Sequence, residues 1–248
     1  MMKNVMMAAA GALLCAGCAA TKPTIAVVGA HPDDLEGGLG TYILLSEKYE
    51  IHSINYTKGE GGCGPAGAKD GSTARKRVAE ELAVTERLGG KSYFLDEKNV
   101  RGPESACAPK ESVEKMAAIL KEVNPRAVFV HWPLDNHIDH VMCYAACIKA
   151  IRMAKIKPEI YFYEEEFETA NLRPRHWVDI SSVIERRREL IRLYACQNEN
   201  DGLVKEKDFE SARRGREMSP PVKYAEAFGV FDNVPAGTPT VFDDRPKR

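Results

Sequence analysis

An excess of charge of either sign is missing from this chain of 248 residues: 35 Lys and Arg face 36 Asp and Glu, leaving a formal charge of −1. That balance has no electrostatic footprint for a nucleic-acid backbone, so no nucleic-acid partner is expected. Long apolar runs are also scarce. The most apolar one, Val5 to Ala20, is too short to span a bilayer comfortably. Seven cysteines are few for a disulfide scaffold of this length, and past residue 18 none forms a CxxC pair, which argues against thiolate zinc and thioredoxin-like sites. The spacing of Gly37-Gly38-Leu39-Gly40 does not fit a dinucleotide fingerprint, and no internal repeat or low-complexity tract occurs. What is present, 44% hydrophobic and 29% charged residues, suits one α/β domain able to bury a sizeable core.

The N-terminus reads as a targeting segment. Lys3 precedes the apolar run, which ends in Leu13-Leu14-Cys15-Ala16-Gly17-Cys18 and resembles a bacterial lipoprotein processing site. Residues 1–23 are therefore expected to be a signal peptide or lipoprotein leader with a short linker. Export to the cell envelope and lipid anchoring at Cys18, the only membrane contact, follow as expectations. An N-terminal buried or membrane helix is the alternative. In an exported protein Cys63 and Cys107, both in Gly/Pro-rich loops, are candidates to pair. Cys143 and Cys147 share one helical face and read as buried thiols.

Strand and helix signals alternate along the rest of the chain. Short apolar runs at 24–30, 51–57, 91–96, 127–132, 160–164 and 177–180 predict strands, and helical patterns cover 35–49, 72–88, 111–123, 139–155 and 182–196. This alternation predicts an α/β fold: a Rossmann-like, doubly wound, mostly parallel sheet with helices on both faces, in a single domain over 24–231. Residues 232–248, with Pro235, Gly237, Pro239 and Pro246, are expected to form a loosely ordered tail. Arg186-Arg187-Arg188 and Arg213-Arg214-Gly215-Arg216, interleaved with Glu, are expected to lie on solvated helix faces.

Two polar clusters fall where such a sheet binds ligands, beyond the carboxyl ends of its strands. Ala30-His31-Pro32-Asp33-Asp34 follows the first strand, and the stretch from His131 to His140 follows the fourth, so four of the six histidines lie in these segments. His31 and Asp34, three residues apart, together with a histidine from the second cluster, offer a divalent cation three ligands and leave a position open for water. Asp33 can stand beside that water as a base. His137, one helical turn before His140, can hold an oxyanion or protonate a leaving amine, with Asp139 orienting a neighbouring imidazole. His52 and His176 read as structural.

At these residues the sequence resembles the PIG-L or LmbE-like metal-dependent de-N-acetylases, whose hallmarks are an AHPDD turn and a later HxDH, here Ala30–Asp34 and His137–His140. Supporting matches are Thr57-Lys-Gly-Glu60-Gly, Arg77 with Glu80, Asp179-Ile-Ser with Gln197, and Lys223 to Phe228, spanning about residues 24–230. The resemblance implies metal ligands at His31, Asp34 and His140, a general base at Asp33, an oxyanion or acid group at His137 tuned by Asp139, and sugar contacts at Glu60 and Arg77. It further implies one divalent ion, most readily Zn2+, and a small-molecule or glycoconjugate substrate that loses acetyl from an amino sugar. Asp135 stands where some family members carry Tyr, so no role of that Tyr is transferred. A catalytically inactive carbohydrate-binding protein and a hydrolase of another N-acyl amide are the alternatives.

Overall fold

The computed structural model describes residues 22–62, 71–97, 107–165, 169–231, 234–235 and 237–246. Five strands run parallel: β1 (Thr24–Gly29), β2 (Glu50–Thr57), β3 (Lys91–Glu97), β4 (Ala127–His131) and β5 (Glu159–Tyr163). Two more, β6 (His176–Asp179) and β7 (Ala225–Val230), extend the sheet in the order β3-β2-β1-β4-β5-β7-β6, with β7 antiparallel to both neighbours. The expected doubly wound, mostly parallel sheet is what forms.

Side chains alternate across the strands and so build two cores. Ile25, Val27 and Phe129 face one layer, containing α1 (Leu39–Leu45), α2 (Ser72–Arg87), α5 (Ile184–Ile191) and α6 (Gly202–Glu217). Ala26, Val28 and Val130 face the other, containing α3 (Lys110–Val123) and α4 (Ile138–Ala154). Cys143 and Cys147 are buried thiols in that second layer, as expected.

Several expectations need correction. The helix predicted over 35–49 is a 3-10 turn at Asp34–Gly38 followed by the short α1, because the chain must first close around Asp34. The helix predicted over 182–196 ends at Ile191. Strand β7 was not among the predicted strands, and α6 was anticipated only through the basic cluster at 213–216, without a hydrophobic pattern of its own. The buried face of α6 is largely polar, formed by Val204, Lys207, Glu210, Ser211, Arg214 and Gly215, so its helical period does not register as hydrophobicity. Lys207, fully buried, meets Glu165 at 2.6 Å, Glu36 at 3.3 Å and Glu210 at 3.4 Å, tying α6 to the turn after β1. Arg187 and Arg214 are likewise buried rather than solvated: Arg187 Nε lies 3.2 Å from Glu226, and Arg214 Nε donates to Glu164 at 2.6 Å.

In the segment expected to be a loose tail, Val241 and Phe242 are buried and Val241 N–H donates to Glu159 Oε2 at 2.9 Å. His176 stacks on Phe242, consistent with a structural role. Cys107 is an exposed free thiol, so no Cys63–Cys107 bond forms. Among the described residues the disulfide-bonded cysteine is Cys196, and Cys63 lies outside them. Among the described residues no helix is long and apolar enough to cross a membrane. The leader and Cys18 also lie outside the described residues.

Candidate active site

Strands β1 and β4 are neighbours in the sheet although β2 and β3 intervene in sequence, so the strand order reverses between them. This reversal is the crevice where doubly wound sheets bind ligands, and it brings the two polar clusters together. One donor atom from each of His31, Asp34 and His140 lies within 4.8 Å of the others, and all three residues are buried.

The β1 turn is folded tightly onto itself. Asp34 Oδ2 accepts the His31 N–H at 2.8 Å and meets His131 Nε2 at 2.8 Å, which leaves Oδ1 facing His31 Nδ1 at 3.6 Å and His140 Nε2 at 4.0 Å. Burial favours the acid form of Asp34, but His131 and His31 outweigh it and hold the carboxyl well below its usual range. Behind two imidazoles stands a carboxylate: Asp139 Oδ2 is 3.2 Å from His31 Nε2, and Asp135 Oδ1 is 3.2 Å from His140 Nδ1. That is the arrangement by which metal-binding histidines are oriented. Burial opposes protonation of His31, yet the Asp34 charge and the Asp139 contact push it up to about 9, while burial and the nearby His131 bring His140 down to about 3.

Two imidazoles and a carboxylate suit zinc, and their mutual distances approach those of ligands bonded at about 2.0–2.2 Å to one ion. His31, His137 and Asp139 form an overlapping donor group. It fits less well, because Asp139 N–H donates to His137 Nδ1 at 3.2 Å, which places the proton of the uncharged ring on Nε2. Burial, followed by the charge on His31, lowers the His137 pKa, so the ring presents an N–H rather than a lone pair.

Asp33 carries φ of 139°, a conformation natural to glycine, held by its ion pair with Arg77. Burial raises its pKa despite that guanidinium. Arg77 is only 3% exposed and also donates to the Pro32 carbonyl, from Nε at 3.2 Å and Nη2 at 2.9 Å. The guanidinium thus braces the turn at residues 32–33, at a position where the resemblance implies a sugar contact. Gly59 (φ 66°) and Gly62 make room for it, since a Cβ there would come within 2.7 Å and 2.3 Å of its Nη1. Glu60 is half-buried in the loop between these glycines. The Asp139 carboxylate reaches His31, while its backbone N–H donates to His137 and its charge acts on that ring as well. His131 and Asp135 had no sequence-assigned role. The available signal was His131 itself, a polar residue closing an otherwise apolar parallel strand.

A family model described as GlcNAc-PI de-N-acetylase (PIG-L) matches residues 26–151, half of the chain. The chain belongs to the PIG-L family. Among solved structures, this PIG-L chain is similar to N,N'-diacetylchitobiose deacetylase from Pyrococcus horikoshii, with 21% identity and a TM-score of 0.70, over 85% of this chain and 84% of that one. It is similar to GalB, the 4-carboxy-2-hydroxymuconate hydratase from Pseudomonas putida KT2440, with 22% identity and a TM-score of 0.72, over 88% and 100%. The A40926 pseudoaglycone deacetylase Dbv21 matches at 15% identity and a TM-score of 0.63, over 86% and 99%. These likenesses establish the fold. Two of the neighbours are named deacetylases and one a hydratase, so the reaction must be argued from the residues of the site.

Proposed function

We propose that this PIG-L chain is a metal-dependent amide hydrolase that removes acetyl from an N-acetylated amino sugar or glycoconjugate, releasing acetate and a free amine. One observation carries the reading: the buried His31, Asp34 and His140 donors converge within 4.8 Å beside Asp33 and His137 at the β1/β4 reversal. A divalent ion, zinc by donor type, would be held by those three residues, and when bound it supplies the Lewis acidity that polarises an amide carbonyl and lowers the pKa of water. Asp33 takes the proton of the attacking water, and its burial raises its proton affinity toward that task. His137 Nε2–H donates to the developing oxyanion. The proton gained by Asp33 then passes to the leaving nitrogen. Arg77 keeps Asp33 in place, and Glu60 is the remaining candidate for contact with the sugar.

The chain is further proposed to be exported and anchored to the bacterial cell envelope through Cys18. The test of the enzymatic reading is metal content per chain together with amine release from a panel of N-acetyl sugars and other N-acyl amides, for wild type and His140→Ala. About one equivalent of zinc and amine release, both lost in the variant, is the expected result. Tight sugar binding without amine release would leave a carbohydrate-binding protein. A folded wild type that cannot be loaded with zinc would overturn the metal reading.

A further inference from the structure

We propose that Asp135 is a positioning residue that fixes the tautomer of His140, keeping its proton on Nδ1 and leaving Nε2 bare toward a divalent cation. The inference rests on the assignment of His140 as a ligand. It starts from the loop 132–137 between β4 and α4, where the Asp135 side chain is fully shielded from solvent. Asp135 Oδ1 accepts the His137 N–H at 2.7 Å. Its other oxygen accepts from Thr169 Oγ1 at 3.0 Å, across an antiparallel bridge between residues 135 and 169. The direction of that second bond is set by the next one: Thr169 Oγ1 itself accepts Glu165 N–H at 2.9 Å, so its hydroxyl proton points to Asp135.

Both carboxylate oxygens are therefore acceptors. Against such an oxygen, in ion-pair contact at 3.2 Å though bent away from ideal hydrogen-bond alignment, the attractive form of His140 Nδ1 is N–H. Imidazole carrying its proton on Nδ1 has its lone pair on Nε2, the nitrogen turned toward Asp34 Oδ1. The ring has little freedom to escape this choice, since it lies between His131, stacked at 3.9 Å and 10°, and His137, stacked at 4.7 Å and 19°. Asp135 thus acts on the metal site without touching the metal or the substrate.

The test uses the full chain, first freed of metal, with long-range proton–nitrogen NMR of the imidazoles, then zinc alone titrated in competition with a chromophoric chelator. Wild type should show His140 as the Nδ1–H tautomer. Asp135→Ala should move the proton to Nε2 and weaken zinc binding by about 10–100-fold. Asp135→Asn, which can still offer a carbonyl oxygen to Nδ1, should restore the tautomer and most of the affinity, a rescue that a merely structural role would not require. An Nε2–H tautomer in wild type overturns the proposal, as does Asp135→Ala with an unchanged tautomer and zinc affinity. If Asp135→Ala does not fold, Thr169→Val removes the hydroxyl anchor instead and should weaken zinc by about tenfold, with no change again overturning the proposal. A wild type that shows Nδ1–H yet binds no zinc defeats the ligand assignment while supporting the role of Asp135 in setting the tautomer.

Discussion

Replacing Asp33 separates chemistry from strain, because the residue is both the proposed base and a backbone outlier. Asp33→Asn keeps the shape but removes the proton acceptor, and kcat for amine release should fall by about 10²–10⁴ at full zinc occupancy. Zinc binding should persist, since the proposed ligands are His31, Asp34 and His140. The variant also loses a charge-assisted bond to Arg77, a cost of about 1.5–3 kcal/mol, moderated because Arg77 keeps its bonds to the Pro32 carbonyl. The backbone contribution is isolated by comparing Asp33→Ala with Asp33→Gly, both of which lack the carboxylate. Glycine adopts φ of 139° without the roughly 1–3 kcal/mol of strain that alanine retains. It gives back about 0.5–1 kcal/mol in chain entropy, so the glycine variant should be more stable by roughly 0.5–2 kcal/mol. Urea unfolding of the metal-free proteins and kcat at matched zinc content measure both effects. Turnover in Asp33→Asn within tenfold of wild type would refute the base assignment, and a glycine variant no more stable than the alanine variant would refute the strain argument.

Zinc affinity should rise with pH. His31 in the metal-free protein holds its proton up to about 9, zinc requires the neutral ring, and so apparent affinity should climb about tenfold per unit between pH 6 and 9, with one proton released per zinc in calorimetry across buffers. Arg77→Met leaves Asp33 buried without its partner: stability should fall by about 3–5 kcal/mol, and the acid limb of kcat/KM should move to higher pH, as the Asp33 pKa rises further. Lys207→Met strips the shared partner from Glu36, Glu165 and Glu210, which should cost about 3–5 kcal/mol and lower Tm by roughly 10 °C in thermal unfolding. In the native protein, alkylation followed by mass spectrometry should modify Cys107 and spare Cys143 and Cys147, whose thiols burial pushes up.

The alternating apolar runs made β1 to β5 legible, because strands covered on both faces read as continuous hydrophobic segments. The same criterion passed over α6. Its buried charged side chains are Lys207, Glu210 and Arg214, and the burial of Lys207 and Arg214 is made possible by partners on other segments: Glu36 and Glu165 for Lys207, and Glu164 for Arg214. No local pattern can report a residue buried only because its counter-charge arrives from elsewhere in the chain. Arg187 was misplaced on a solvated face for the same reason, its partner Glu226 lying on β7. Cys107 fitted a loop disulfide by composition alone, whereas bonding depends on tertiary proximity, and among the described residues Cys196 is bonded and Cys107 is free.

The amino-acid sequence alone determined which residues can do chemistry, since an imidazole and paired carboxylates at a strand end are local facts that survive without coordinates. It also determined the family, through Ala30–Asp34 and His137–His140. Tertiary structure decided which groups serve which. Only the strand order places β4 against β1 and so joins the two clusters. Only the packing commits Arg77 to the turn at residues 32–33, turns Asp139 toward His31, and sets His131 and Asp135 behind Asp34 and His140. The physical reason is that ligand identity is a property of single side chains, while their orientation and protonation are set by neighbours about a hundred residues away in sequence and about 3 Å away in space.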